Sequence, residues 1–269
     1  MTETAPIPTK IRHKLRLRRI EVAQVIPLSE TMRRIVFTGD DLHDFVTAGV
    51  DDHVKLFFPQ PGTSEVILPD LSPEGGSDRS APRDPRILAR DYTPRRFDEE
   101  RQELIIDFVL HEEGPATQWA AQAKPGQYLG MGGPRASHIA PDTLTHHLLI
   151  GDDTALPAIA RTLETLPPNH RATVLLDTRE TDKTYPLVSH ARVEIHRCQT
   201  GGSETLPSLL RVVVLPSVKK LNVWIAAEID VVRALRDYLI AEEAVPRGQI
   251  RAAGYWRRDS AAGGERVEG

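Results

Sequence analysis

The sequence has one cysteine, no long apolar run and only a small net charge. Cys198 is the one cysteine among 269 residues, which excludes an intrachain disulfide and makes the cytoplasm the expected location. No window reaches the length of a membrane helix, and the polar N-terminus lacks the apolar core of a signal peptide. The formal net charge of −4 provides no overall basic field for nucleic acid. What is present, 40% hydrophobic and 27% charged residues, is typical of a globular protein.

Basic and aliphatic residues alternate over residues 10–20, after a leader (1–9) that we expect to be disordered. The alternation predicts an arm that runs into a first strand with a solvated basic face. The same residues could bind nucleic acid. The acidic net charge and the absence of interleaved aromatic residues disfavour that alternative.

Short β-like runs separated by turn residues fill the first half of the chain. They lie at residues 21–26, 32–38, 54–58, 90–93 and 103–111. The pattern predicts an antiparallel barrel or sandwich, as a domain of residues 10–142. The Pro- and Gly-rich segment 69–86 is expected to be a mobile surface loop, because strands resume directly after it.

Strands and helices alternate from His147 onward, which predicts a parallel sheet with helices on its faces. We expect strands at 147–150, 173–177, 193–197, 222–226 and 249–255, and helices at 158–166 and 231–243. Residues 206–214 fit either a helix or a strand. The expected fold is therefore an antiparallel β-barrel followed by a nucleotide-binding α/β domain at 143–258, with a flexible tail at 259–269.

The chain is organised around the stretch Arg90-Asp91-Tyr92-Thr93-Pro94-Arg95-Arg96. Alternation along a strand places Arg90 and Tyr92 on one face, and Pro94 limits the strand to an edge or an end. Guanidinium groups pair with phosphate oxygens in a fork geometry, and an exposed phenol ring can stack on a planar heterocycle. The stretch therefore suits a ligand with both a flat ring and a phosphate. An edge strand with solvated charges is the other interpretation.

A short helix is expected at residues 114–123, with Pro115 suited to its first turn. Small residues open this helix, so its first backbone N–H groups are available to a phosphate. We interpret Trp119 as ordinary helix packing. A second Gly-rich turn is expected at 130–135, with Arg135 in reach.

Six stretches in this order resemble the ferredoxin–NADP reductase superfamily, and more closely its siderophore-interacting proteins, which are flavin-dependent ferric-siderophore reductases. They are residues 51–59, 90–96, 107–119, 151–159, 224–228 and 254–257. The resemblance implies that FAD is the cofactor, that Arg90 holds its pyrophosphate, that Tyr92 lies against the isoalloxazine and that Thr93 bonds near the reactive nitrogen. It places the following further residues around FAD: Asp107, Val109, His111, Gly114, Ala116, Thr117 and Trp256.

The turn 151–157 occupies the place where members of that family bind NAD(P)H, through Gly151, Asp153, Thr154 and Ala155. It lacks the glycine fingerprint of dinucleotide sites, and Asp152 with Asp153 puts two carboxylates there. We expect them to repel a pyrophosphate, which predicts modest and salt-sensitive binding that Asp153→Asn would tighten.

The choice between the two nicotinamide nucleotides is left open by the sequence. Asp177 ends a strand where an acidic residue would bond the ribose of NAD, whereas Arg179 could meet the 2′-phosphate of NADP. Two positions depart from the family pattern. Ala227 stands where a glycine is usual, which is expected to tighten backbone clearance, and Asp259 stands near the place of another glycine.

No metal site and no catalytic nucleophile is predicted. The side chains of His146 and His147 point to opposite faces of a strand, which disfavours shared ligation. No base lies beside Cys198 in the sequence, and His196 is expected on a strand surface.

The sequence therefore predicts an FAD-containing reductase that passes electrons from NAD(P)H to a chelated Fe(III) substrate, with the chemistry carried by the flavin. Lys55, charged among apolar residues, is expected to attract anionic ferric siderophores, although a solvated barrel residue is the simpler interpretation. The alternative function is a flavin-free binder of anionic ferric chelates. The sequence determines neither the siderophore nor the oligomeric state.

Overall fold

The protein is described here by a computed structural model, which covers residues 8–70, 84–110, 114–179, 184–258 and 265–266. The chain divides into two compact units, one of Lys10–His138 and one of Ile139–Gly269 that also includes Thr9. Within the described residues, no helix is long and apolar enough to cross a membrane. The expected leader lies largely outside them, as do much of the loop at 69–86, His111 and nearly all of the tail.

The first unit is a β-structure with one short helix. Its strands are β1 (Thr9–Arg12), β2 (Leu17–Pro27), β3 (Met32–Thr38), β4 (Val54–Phe58), β5 (Leu88–Tyr92), β6 (Arg96–Asp98), β7 (Glu103–Val109), β8 (Tyr128–Gly132) and β9 (Ala136–Ile139), and its helix is α1 (Pro115–Ala121). Among the described residues, seven strands form one antiparallel sheet in the order β5-β4-β8-β2-β3-β7-β6. Strands β2 and β3 form an antiparallel hairpin.

The two edge strands of this sheet, β5 and β6, are consecutive in the chain. Only Thr93, Pro94 and Arg95 separate them, and all three residues are buried. Four peptide steps span at most about 14 Å, so the two edges must lie close to each other. The sheet is therefore curled almost into a barrel, and the Arg90 stretch crosses the gap between its edges.

Aromatic side chains fill the interior of the curled sheet. The rings of Phe37 and Trp119 are stacked at 6.3 Å, and Phe108 packs against both. Trp119 is only 6% exposed and lies on the inner face of α1. Its interpretation as a packing residue is confirmed.

Two arginines of the basic arm pair with acidic residues in the turn that follows β3. Arg16 pairs with Asp41 at 3.2 Å and with Asp44 at 2.6 Å. Arg18 is buried and bonds Asp44 at 2.8 Å as well as backbone carbonyls, including that of Gly133. These guanidinium groups are therefore engaged within the protein, which argues further against a nucleic-acid surface.

The glycines at 130–135 do not form a turn over their whole length, because β8 runs through Gly132. A Cβ on Gly130 would lie 2.3 Å from a methyl of Leu68, so this glycine serves close packing against a neighbouring segment. The expected turn begins only at Gly133, which has φ 96° and precedes Pro134. Besides β8, the short strands β6 and β9 were not predicted, since each has too few residues to show an alternation.

The second unit is a parallel sheet with helices. Its elements are β10 (His146–Asp152), α2 (Leu156–Thr165), β11 (Arg171–Thr178), β12 (Arg192–Gln199), α3 (Leu206–Val212), β13 (Leu221–Glu228), α4 (Ile229–Ala241), β14 (Ile250–Trp256) and β15 (Glu265–Arg266). Strands β12-β11-β10-β13-β14 are parallel, and β15 pairs antiparallel with β14. The expected fold class is confirmed.

The strand order reverses at β10, because the chain leaves it toward β11 on one side and later returns to β13 on the other. In open α/β sheets, ligands bind outside the carboxyl ends of the strands at such a switch point. The ambiguous segment is a helix, α3, which begins with a capping box between Thr205 and Ser208. Its buried leucines at positions 206, 209 and 210 follow helical spacing.

Two buried histidines lie at the opposite, amino end of the parallel sheet. His147 Nε2 is 3.0 Å from Nδ1 of His170, and Asn222 donates to the other ring nitrogen of His147 at 3.3 Å. Burial, together with the nearby positive charges of His170 and His146, lowers the pKa of His147 to about 4. The unfolded chain binds a proton at this residue more readily than the folded chain does.

Stability should therefore fall as the pH drops from about 6.5 toward 4. This residue alone contributes on the order of 3 kcal/mol to the loss, since each unit of pKa difference is worth about 1.4 kcal/mol. In His147→Gln, the free energy of unfolding should depend much less on pH over this range. Urea unfolding at several pH values measures this free energy, with a substitution at the exposed His190, His190→Gln, as control. Equal pH dependence in both variants and the parent would contradict the assignment.

Candidate functional site

The Arg90 stretch begins in edge strand β5, and Pro94 lies just beyond the end of that strand, as predicted. The register with β4 pairs Tyr92 with Val54, Asp91 with Lys55 and Arg90 with Leu56. Directly paired residues share a face, so Arg90 and Tyr92 lie on the face of the buried Val54 and Leu56. Asp91 and Lys55 lie on the opposite face, which we call the outer face of β4 and β5.

Tyr92 is partly buried, and the expectation of an exposed ring is only half met. Its ring centroid lies 4.4 Å from that of Phe108 and 6.3 Å from that of Phe58. Burial raises the pKa of its hydroxyl well above the ordinary value, although the charge of Arg90 opposes the shift. The aromatic core thus fixes the ring and keeps the hydroxyl protonated.

Arg90 and Thr93 stand on either side of this ring in the sequence. Arg90 is half-buried, and its Nη1 donates to the carbonyl of Ala89 at 2.8 Å. A guanidinium group presents its N–H groups in the fork geometry that suits a phosphate. Thr93 is 6% exposed and lies where the chain crosses between the sheet edges.

The start of α1 contains a buried hydroxyl that has no hydrogen-bond partner among the described residues. Gly114 precedes the helix with φ 118°, a conformation that strains other residues, and Pro115 and Ala116 follow. The Thr117 hydroxyl in this first turn is buried and has no partner within the described part of the chain. A buried polar atom without a partner is costly, and a phosphate oxygen at this helix end would satisfy it. These residues fit a phosphate-bearing cofactor such as FAD.

Asp107 and Val109 lie on β7, and Asp107 is already engaged. Both of its carboxylate oxygens accept hydrogen bonds of 2.8 Å from Arg34, its register partner on β3. The side chain of Asp107 is fully buried, so the bidentate pair is satisfied within the sheet. Val109 is half-buried at the end of the strand.

Gly151 is the penultimate residue of β10, the strand at which the strand order reverses. A Cβ on this residue would lie 2.3 Å from the Cβ of Ala155 and 2.8 Å from the carbonyl oxygen of Ala226. Only glycine allows the turn to fold this close to its neighbours. Asp152 then accepts from the backbone N–H of Thr154 at 2.9 Å and begins the helical turn.

Asp152 also holds Trp256, which lies at the end of β14. The indole N–H donates to Asp152 Oδ2 at 2.7 Å, and Trp256 is 39% exposed. Burial and the charge of Asp177 raise the pKa of Asp152, against the opposing hydrogen bonds from Thr154 and Trp256. Trp256 is thereby fixed at the carboxyl edge of the parallel sheet.

Asp153 is buried and faces Arg179, which changes the expected electrostatics of the turn. Both of its oxygens lie within 3.4 Å of the backbone nitrogen of Arg179, and Oδ2 lies 3.6 Å from Nε of that side chain. Both aspartates are therefore engaged with protein groups. The expected repulsion of a pyrophosphate by Asp153 stays a prediction.

Two further carboxylates at this edge are also engaged. Asp177 accepts from the hydroxyl of Thr200 at 2.7 Å. Glu228 caps α4 by accepting from the backbone of Asp230 and Val231. Ala227 before it is 1% exposed and belongs to the core, so its methyl group is accommodated.

Nothing in the described residues forms a cluster of three or more metal ligands. Burial and the charges of Asp177 and Glu204 raise the pKa of the Cys198 thiol to about 11. This thiol is protonated at neutral pH and unsuited to act as a nucleophile.

The two halves of the sequence match two family models. Residues 21–138 match the siderophore-interacting FAD-binding domain, and residues 144–259 match the siderophore-interacting protein model. The chain belongs to the siderophore-interacting protein family. The resemblance drawn from the sequence motifs is confirmed.

Members of this family are similar to the chain over most of its length. The chain is 34% identical to the NADPH-dependent ferric-chelate reductase of Escherichia coli, covering 95% of this chain and 99% of that protein. It is 29% identical to the ferric vibriobactin reductase ViuB of Vibrio cholerae, with 86% of each covered. The crystal structure of a siderophore utilization protein from T. fusca has a TM-score of 0.84 at 33% identity, covering 94% of this chain and 97% of that one.

Sequence reasoning missed the partners of the site residues. Arg34, Asp91 and Thr200 are far in sequence from the groups they bind, and only the strand register brings each pair together. For Asp91, one signal was available: its alternation opposite Arg90 already placed it on the outer face.

Proposed function

We propose that the protein is an FAD-containing, NADPH-dependent reductase of ferric siderophores. The observation that carries the proposal is the 34% identity, over 95% of the chain, to an NADPH-dependent ferric-chelate reductase. The features around Arg90 and Thr117 support FAD as the cofactor. When bound, FAD supplies hydride acceptance from the nicotinamide and single-electron delivery to iron.

The first unit would hold FAD through groups of two kinds. Arg90 offers guanidinium N–H groups to the pyrophosphate, while Thr117 offers its hydroxyl, together with the first backbone N–H groups of α1. Tyr92, fixed by Phe108, presents its remaining ring surface to the isoalloxazine, with Thr93 beside it. The other residues that we propose to contact FAD are Asp107, Val109, His111, Gly114, Ala116 and Trp256.

In the second unit, Arg179 favours NADPH over NADH. Asp153 binds both its backbone and its side chain, which orients the guanidinium near the end of β11. Asp177, the residue suited to a ribose diol, shares one carboxylate oxygen with Thr200. A 2′-phosphate would gain a charge-assisted contact with Arg179, whereas a free 2′-hydroxyl would not. Gly151, Thr154 and Ala155 shape the turn that approaches the nucleotide.

Iron is the substrate in this proposal, and reduction promotes its release, because hard oxygen ligands bind Fe(II) less tightly than Fe(III). Many ferric chelates of hydroxamate, catecholate or carboxylate type keep negative charge. The ammonium of Lys55, 47% exposed on the outer face of β4, attracts such chelates and raises their encounter rate.

Arg90→Ala and Thr117→Val should each weaken FAD retention. A charge-assisted phosphate contact is worth about 1.5–3 kcal/mol, so Arg90→Ala should raise the dissociation constant of FAD at least tenfold. Flavin absorbance after dialysis measures the occupancy, with the exposed Arg101→Ala as control. Equal occupancy in Arg90→Ala and the parent would remove Arg90 from the site. Protein that stays colourless with added FAD would favour the flavin-free alternative.

Asp153→Asn should raise the KM for NADPH severalfold and leave that for NADH within twofold, because Arg179 loses its charged anchor. Arg179→Ala should likewise raise the KM for NADPH more than that for NADH, and its effect on the KM for NADPH should be larger, about tenfold. Anaerobic flavin reduction with each nucleotide measures both constants. A lower KM for both nucleotides in Asp153→Asn would support repulsion of the pyrophosphate instead.

Lys55→Ala should raise the KM for an anionic ferric chelate while flavin reduction by NADPH stays intact. An uncharged ferric chelate should be affected much less, because only the charged one is attracted over a distance. Steady-state kinetics with one chelate of each kind tests this. Equal effects on both chelates, or none on either, would reduce Lys55 to a solvated barrel residue.

A further inference from the structure

The outer face of β4 and β5 carries one close ion pair. Lys55 Nζ lies 2.6 Å from Oδ1 of Asp91, its direct register partner across the strands. Both residues are exposed. The pair therefore lies in solvent and can open without the cost of uncovering a buried charge.

The surroundings of Lys55 offer it no second carboxylate across the ladder. Its partner on the other neighbouring strand, β8, is Gly132, which has no side chain. Asp91 is also the only acidic residue in the sequences of β4 and β5. Among the described residues of the two strands that pair with β4, Asp91 is thus the one carboxylate in register with Lys55.

We propose that Asp91 is a specificity-determining residue that competes with anionic ferric chelates for the ammonium of Lys55. The inference rests on the proposed function of Lys55 in capturing the substrate. A chelate with several negative charges displaces the Asp91 carboxylate, whereas a weakly charged or neutral chelate gains nothing from doing so. Asp91 therefore lowers the affinity for anionic chelates in general and narrows the preference to the most highly charged ones.

The competition has a characteristic dependence on salt and on charge. Exposed ion pairs are worth up to about 1 kcal/mol, so removing the competitor should lower the KM for an anionic chelate about two- to fivefold. The difference in KM between the parent and Asp91→Asn should fade in 0.5 M NaCl, since the Debye length there is only about 4 Å. For an uncharged ferric chelate, the KM of Asp91→Asn should equal that of the parent at any salt concentration.

The test uses the FAD-loaded full chain and four forms: the parent, Asp91→Asn, Lys55→Ala and the double variant. KM is measured at low and high salt with ferric citrate as the anionic chelate and ferrichrome, an uncharged ferric trishydroxamate, as comparison. Asp237→Asn, on the exposed side of α4, serves as control because it changes the net charge equally. Flavin content and melting temperature report on folding.

We expect Asp91→Asn to lower the KM for ferric citrate in the parent but not in the Lys55→Ala background. An equal decrease in both backgrounds, or in Asp237→Asn, would overturn the competition while leaving the role of Lys55 intact. An effect of Asp91→Asn on the KM for ferrichrome or on flavin content would also overturn it. If Lys55→Ala itself leaves the KM for ferric citrate unchanged, both the capture role and this inference fail.

Discussion

The antiparallel pairing of β4 with β5 fixes which side chains of the Arg90 stretch can meet a ligand. Direct partners in such a ladder point to the same face, so one register assigns every residue of β5 at once. Arg90 and Tyr92 are placed with the barrel interior, and Asp91 is placed beside Lys55. If the register shifted by one residue, Arg90 and Tyr92 would lie on the outer face and Asp91 would lie on the inner face, so Asp91 would no longer pair with Lys55. The buried Val54, Leu56 and Phe58 on β4 hold the register, because they cannot turn outward without exposing apolar surface.

Charged groups near the candidate sites are mostly engaged within the protein. Arg34 holds Asp107, Thr154 and Trp256 hold Asp152, and Arg179 contacts Asp153. Such pairs orient their members more than they stabilise the fold, because desolvation offsets much of the attraction. The net acidic character of the turn at residues 151–157 is therefore partly offset by the protein groups that surround its carboxylates.

The one buried hydroxyl at the start of α1 contrasts with this pattern. Thr117 makes no hydrogen bond within the described residues, although its neighbours are packed closely. Protein interiors seldom leave such an atom without a partner, and ligand sites are among the reasons for it. The group lies at a helix end whose N–H groups already favour an anion, which is why the local structure fits a phosphate-bearing cofactor.

The sequence by itself determined the two-part fold, the strands and helices long enough to show a period, and the family. These follow from local patterns: alternation in β2 and β7, helical spacing in α4, and motifs quoted residue by residue. Tertiary structure alone decided that Tyr92 packs on Phe108, that Asp153 faces Arg179 and that Lys55 is paired with Asp91. These contacts join residues on different elements, and no local pattern encodes which residue of one strand lies opposite which residue of another. Strand register fixes that pairing, and register depends on how the whole core packs.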